Sequence, residues 1–180
     1  MPIYSGNTQN NCITLMFNVY MGNEHIESIL ETLKKYDVKS TFFVGGTWVN
    51  KNETCFMKIV ESGNEIGSHG YWHKDHGKIS DEEQINEIVM TDELVKKIAG
   101  IKMTLFAPPS GAFNSSTAVI ADTLGYKTIM WSKDTIDWRD QDINLIYERA
   151  TKNACAGDLI LCHPTKATAE SLEKIILKYQ

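Results

Sequence analysis

Three of the chain's five histidines fall within eight residues, at His69, His73 and His76. His69 and His73 belong to the run Ser68-His69-Gly70-Tyr71-Trp72-His73, and Asp75 precedes His76. Histidines at i and i+4 converge on one metal ion where the segment turns, and neutral imidazole is a common zinc ligand. A solvated, His-rich turn has the same composition, and a complete site needs at least a third ligand. Asp75 and His76 are near enough in sequence to supply one.

The chain around this run has 180 residues, enough for one domain with a sizeable core. Its 42% hydrophobic and 23% charged residues are those of an ordinary globular protein. A net charge of −5, with Arg139 and Arg149 the only arginines, argues against nucleic-acid binding. No apolar run is long enough to span a bilayer, and no basic-then-apolar signal segment opens the chain. The first strand begins almost at once, as expected of a domain cut from a longer secreted or membrane-anchored precursor. Cys12, Cys55, Cys155 and Cys162 match no zinc ribbon and no CxxC motif, so they read as free thiols, with a disulfide still open.

The elements that must position the histidines alternate along the chain. Ile13–Val19 is a continuous apolar run, the pattern of a strand buried on both faces of a parallel sheet. Further strands are expected at Ser40–Val44, at Glu65–Gly67 leading into His69, at Met103–Ala107, at Lys127–Trp131 and at Asp158–His163. Helices are expected around Ile26–Leu33, Cys55–Val60, Ser116–Leu124, Ile143–Ala154 and Ala167–Tyr179. The longest helix opens at Ser80, with Glu83 three residues on as a capping box, and ends at Gly100. Strand–helix alternation without a linker predicts one parallel α/β domain over 1–180. Asn18, His69, Pro108–Gly111, Asp134–Trp138 and His163 all punctuate strand ends. In parallel α/β folds the site gathers on that face.

These residues resemble, in order and over nearly the whole chain, the polysaccharide deacetylase (NodB-homology, carbohydrate esterase family 4) family. His69-Gly70-Tyr71-Trp72-His73 is similar to its metal-binding His-x-x-x-His motif. Phe106-Ala107-Pro108-Pro109-Ser110-Gly111 is similar to its Arg-Pro-Pro-Tyr-Gly loop. Asp134-Thr135-Ile136-Asp137-Trp138 matches its Asp-x-x-Asp-Trp motif, and Leu161-Cys162-His163 its Leu-x-His motif. Thr41-Phe42-Phe43-Val44-Gly45 resembles the strand after its first helix. The resemblance implies a distorted (β/α) barrel with fewer than eight parallel strands. It also implies an extracellular or cell-envelope location and a hydrolase that removes acetyl groups from peptidoglycan, chitin or xylan. The cofactor implied is a divalent metal, zinc with cobalt or nickel as alternatives, held by His69, His73 and an Asp. By the same resemblance His163 is the general acid paired with Asp137, while Ser110 (through its backbone N–H), Trp138 and Leu161 contact substrate.

The chain departs from the family at its first motif, Thr-Phe-Asp-Asp-Gly. The matching stretch is Met16-Phe17-Asn18-Val19, followed by Tyr20-Met21-Gly22, and it belongs to a branch resembling sporulation-type members. Asn18 stands at the base position, where an amide cannot take a proton at neutral pH, and Val19 stands at the metal-binding Asp. Ala107 replaces the Arg that holds the base. The Asn18 and Ala107 changes are consistent, because an Arg beside a neutral Asn would be a partly buried charge without its partner. Three functions are therefore open. One is a metal-dependent N-deacetylase with a substitute base, for which Asp134 or Asp75 is available. The second is an impaired deacetylase-like domain that binds cell-wall glycan, and the third is a structural barrel with no ligand. Family members usually add a strand after the last helix, so one side of the barrel is expected to stay open unless Pro2–Asn11 covers it.

Overall fold

The computed structural model describes all 180 residues. Seven parallel strands form one sheet in the order β5-β4-β3-β2-β1-β7-β6. They are β1 (Thr14–Val19), β2 (Thr41–Val44), β3 (Glu65–Ser68), β4 (Leu105–Phe106), β5 (Lys127–Thr128), β6 (Lys133–Asp134) and β7 (Leu159–Cys162). The helices are α1 (Ile26–Lys35), α2 (Gly46–Lys51), α3 (Glu53–Glu61), α4 (Asp81–Ala99), α5 (Thr117–Thr123), α6 (Asp137–Asp140), α7 (Ile143–Thr151) and α8 (Lys166–Tyr179). No helix is long and apolar enough to cross a membrane. This is the parallel α/β barrel with fewer than eight strands that the alternation and the resemblance imply.

The period-two pleat of β1 sorts its side chains into two cores. Leu15, Phe17 and Val19 face outward into the main core beneath the helices, with Phe42, Trp48, Phe56, Ile88 and Leu172. Phe17 and Phe42 stack there with centroids 4.8 Å apart. Met16 faces inward to a smaller cluster with Phe43, Ala107, Leu159 and Leu161. This inner cluster fills the barrel interior and forms the floor beneath the strand ends.

Five expected strands are longer in sequence than in structure. The runs Ile13–Val19, Ser40–Val44, Met103–Ala107, Lys127–Trp131 and Asp158–His163 form strands only over the shorter ranges above. β6 and α6, not anticipated as separate elements, are short, and α2 precedes the expected second helix as a separate turn. The capping box of α4 forms as expected: Ser80 Oγ accepts from Glu83 N–H at 3.3 Å and Glu83 Oε2 accepts from Ser80 N–H at 3.1 Å. Gly100 closes that helix in the left-handed region. All four cysteines are free thiols.

β5 and β6 are the sheet's edges, and α8 is the last element of these 180 residues. The amino-terminal segment covers the gap. Ile3 pairs beside β5, its N–H donating to Thr128 O at 2.8 Å and its carbonyl accepting from Met130 N–H at 2.7 Å. Ser5 then bridges to Asp158 at the start of β7, and Gly6 N–H donates to Gly157 O at 2.7 Å.

Candidate active site

The strand ends meet around one open cavity of about 510 Å³. Asn18, His69, His73, Ser110, Trp138, Leu161 and His163 all line it, and Asp137 sits directly behind His163. Tyr20, Met21, Trp131, Asp134, Pro164 and Thr165 complete the wall. Among these, Tyr20 is the residue sequence reasoning missed with most consequence.

His163 and Asp137 form a hydrogen-bonded pair. Asp137 is wholly buried, and its Oδ1 lies 2.7 Å from His163 Nδ1. A carboxylate only accepts, so Nδ1 carries the proton and Nε2 is presented to the cavity. Asp137 Oδ2 accepts from the His163 backbone N–H at 2.6 Å and from Thr168 Oγ1 on α8. The approach to Asp137 is tightly held. Ile136 takes φ of +51°, unusual for a β-branched residue, and its N–H donates to Asp134 Oδ1 at 2.8 Å. Arg139 and Arg149 both clasp Asp140 at the end of α6, and Arg149 also donates to Thr135 O at 3.0 Å. The two arginines hold the Asp140 carboxyl well below the usual carboxylate range.

The histidine pair is neutral. His69 is buried, and its Nδ1 donates to Ala107 O at 2.8 Å, leaving Nε2 as a lone-pair nitrogen. Burial, then the neighbouring His73, push its pKa down to about 3. Burial lowers that of His73 as well. The two rings meet edge to face with centroids 5.0 Å apart. The ring of Tyr20 lies flat on His73, with centroids 3.7 Å apart and planes at 21°.

The family's metal site has a third protein donor, and no further His, Cys, Asp or Glu joins the histidine pair. Val19 is wholly buried on the outward face of β1, in the main core. Asp75 lies away from the cavity, paired with Lys78 at 2.9 Å. His76 packs against Phe106 with centroids 4.9 Å apart and is also absent from the cavity wall. Asp75 and His76, the spare ligands available in sequence, are therefore not brought to the pair, because the turn after His73 carries both away from it. Nowhere do three His, Cys, Asp or Glu side chains gather so as to hold a metal ion. The residues present do not fit the family's three-ligand metal site.

Asn18 faces inward at the end of β1, 3% exposed, and its Oδ1 has no hydrogen-bond partner. A buried polar atom without a partner costs about 1–3 kcal/mol. Ala107 puts its methyl group into the inner apolar cluster, so the space beside Asn18 holds no arginine.

A model of the family described as "Polysaccharide deacetylase" matches residues 5–129. The chain is 39% identical over 175 residues to the uncharacterized protein YlxY of Bacillus subtilis, covering 97% of this chain and 55% of that protein. It is 33% identical over 170 residues to the peptidoglycan-N-acetylglucosamine deacetylase PgdA of Listeria monocytogenes, covering 94% of this chain and 36% of that one. The chain thus spans about half or less of the length of these relatives. Its fold superposes with a TM-score of 0.97 on BA3943 of Bacillus anthracis, described as a CE4 family pseudoenzyme, at 37% identity over 99% of this chain and 64% of that one. A BA3943 mutant described as having restored enzymatic activity superposes equally well, at 36% identity over 99% of this chain and 66% of that one. With its motifs in order, its barrel of seven parallel strands and these matches, the chain belongs to the polysaccharide deacetylase family, carbohydrate esterase family 4.

Proposed function

We propose that this domain binds N-acetylated cell-wall glycan and no longer turns it over at a deacetylase's rate. The observation that carries the reading is the Tyr20 ring stacked on His73 at 3.7 Å, with Val19 buried in the opposite core. An aromatic ring fills the face of the histidine pair, and no carboxylate takes the third place. Asn18 at the base position cannot accept a proton. Loss of the base and loss of an oriented metal each cost about 10²–10⁴ in rate. The likeness to BA3943 supports the same reading, since that protein is described as a pseudoenzyme. The cavity itself still suits a sugar: Trp131 and Trp138 line it, and Trp138 is 60% exposed at its edge. Binding to glycan in the cell envelope follows from likeness to PgdA and is part of the proposal.

The intact His163–Asp137 pair favours a second reading, a working N-deacetylase with zinc or a similar ion and a substitute base. Asp134 lines the cavity and is the carboxylate available for that role.

Calorimetric titration with an N-acetylglucosamine tetramer, followed by mass spectrometry of the recovered sugar, separates the two. Saturable binding and an intact tetramer are expected. Recovery of partly deacetylated tetramer at many turnovers per protein would overturn the proposal in favour of the second reading.

A further inference from the structure

We infer that Asp134 and Trp138 form an ammonium subsite at the cavity wall, so that the domain prefers a glycan chain in which one unit carries a free amine. This rests on the glycan-binding role proposed above and adds a second group recognised, the ammonium of a deacetylated hexosamine. Asp134 is the one carboxylate on the wall, and no lysine or arginine lines it. The cations nearest to it along the chain are engaged elsewhere. Lys133 Nζ donates to Lys152 O at 2.6 Å and lies 4.0 Å from Asp158. Arg139 gives its Nε and Nη2 to Asp140 at 2.7 and 2.9 Å. The Ile136 N–H holds Asp134 Oδ1 at 2.8 Å, which orients the carboxylate and leaves Oδ2 to the cavity. Trp131 and Trp138 stand on the same wall, and Trp138 is 60% exposed at the mouth.

An anionic oxygen beside indole faces suits a cation. A divalent metal ion takes several oxygen ligands, and no three His, Cys, Asp or Glu side chains gather here. An alkylammonium needs one anionic partner and an aromatic flank, and at an open mouth its other N–H groups stay in water. A sugar that bears a carboxylate meets like charge at the same place. On a hexosamine the ammonium stands where the acetamido group was, so it lies on the very chain that the cavity holds. N-deacetylation is the class of reaction that supplies it. The domain then holds glycan on which such a reaction has already acted.

Calorimetry at low salt tests this with the N-acetylglucosamine tetramer and with the four tetramers that each carry one glucosamine unit in its place. The wild type is expected to bind at least one of the four about threefold or more tightly than the fully acetylated tetramer, with the gain fading in high salt. Asp134→Asn keeps the acceptor for the Ile136 N–H and removes the charge. It should lose the gain and bind the fully acetylated tetramer as the wild type does. Trp138→Leu keeps an apolar side chain without a ring face and should shrink the ratio between the two sugars. Nα-acetyl-lysine amide, which carries the same ammonium on a peptide, should not bind. Asp134-dependent binding of that amide, with no gain for any glucosamine-bearing tetramer, would overturn the sugar as the source of the amine. No gain at any position, or a gain unchanged in both variants, would overturn the subsite and leave glycan binding standing. Failure of the wild type to bind any tetramer would sink both.

Discussion

At the residue scale, three neighbouring side chains at the end of β1 carry the proposed loss of metal-dependent hydrolysis. Asn18 faces the cavity, Val19 faces the opposite core, and Tyr20 lies on His73. Restoring one of them should not restore metal binding. Asn18→Asp alone is expected to bind zinc no better than the wild type in competition with a chromogenic chelator. With Val19→Asp and Ala107→Arg added, zinc binding is expected to stay as weak, because a side chain at position 19 enters the main core, away from the histidine pair. Tight zinc binding by either variant would contradict this placement of the side chains. The motifs made Asn18, Val19 and Ala107 legible in sequence, because a family pattern says which atoms are missing. Tyr20 was not legible, because nothing in its neighbours along the chain says where its ring turns.

His76 carries a second prediction at this scale. Its ring is wholly buried with both nitrogens unpartnered, and burial lowers its pKa to about 4. The unfolded chain binds the proton near pH 6.5 and the folded chain does not, so stability is full above that pH and falls as pH drops through the window toward 4. The slope from this one group reaches about 1.4 kcal/mol per pH unit. His76→Phe keeps the contact with Phe106 and should remove that share of the slope between pH 6.5 and 4.5, with no loss of stability at pH 7. Chemical denaturation across that range checks it, and an unchanged slope would contradict it.

At the element scale, the site depends on pieces too short to read from sequence. α2 is six residues long, yet it joins the two halves of the cavity. The indole N–H of Trp48 donates to Gly22 O at 2.6 Å, fixing the turn that carries Tyr20 and Met21. Gly46 and Thr47 N–H groups donate to Gly70 O and Tyr71 O, both at 2.9 Å, fixing the histidine loop. Gly46 must be glycine, since a Cβ there would lie 2.2 Å from the Tyr71 ring. The longer helix α4 holds the same loop through a buried carboxylate. Glu87 Oε2 accepts from Trp72 N–H at 3.0 Å and from Lys74 N–H at 3.4 Å, and burial raises its pKa. Glu87→Ala would leave those amides unpaired, at a cost of about 1–3 kcal/mol. Faster amide exchange at Trp72 and Lys74 is expected, with the distant β1 amides unchanged at equal global stability. Exchange that rises evenly over the whole domain would contradict a local clasp. Glu87 reads in sequence as one more residue of an acidic helix, and only the fold shows its inward aim.

At the scale of the whole molecule, alternating strands and helices made the parallel barrel and its site face legible. Long-range pairing was not. β5 and β6 have two residues each and exist only because neighbours complete them. The sequence raised Pro2–Asn11 as a possible cover for the open side, and the pairing of Ile3 and Gly6 shows how that cover works. Removing residues 1–6 deletes the three backbone bonds made by Ile3 and Gly6 and exposes the edge of β5. At about 1 kcal/mol per bond, a stability loss of about 2–4 kcal/mol is expected by urea denaturation. A loss confined to a few tenths would mean that the segment rests on the barrel without closing it.

The central claim is that the cavity has kept its sugar-binding shape and lost its metal chemistry. Its most direct test is one sample of the wild-type domain incubated with excess zinc or cobalt, freed of unbound ion, analysed by elemental mass spectrometry and assayed for acetate release from the N-acetylglucosamine tetramer. Well under one equivalent of metal and no metal-dependent acetate are predicted. One equivalent of metal with catalytic acetate release would contradict the account.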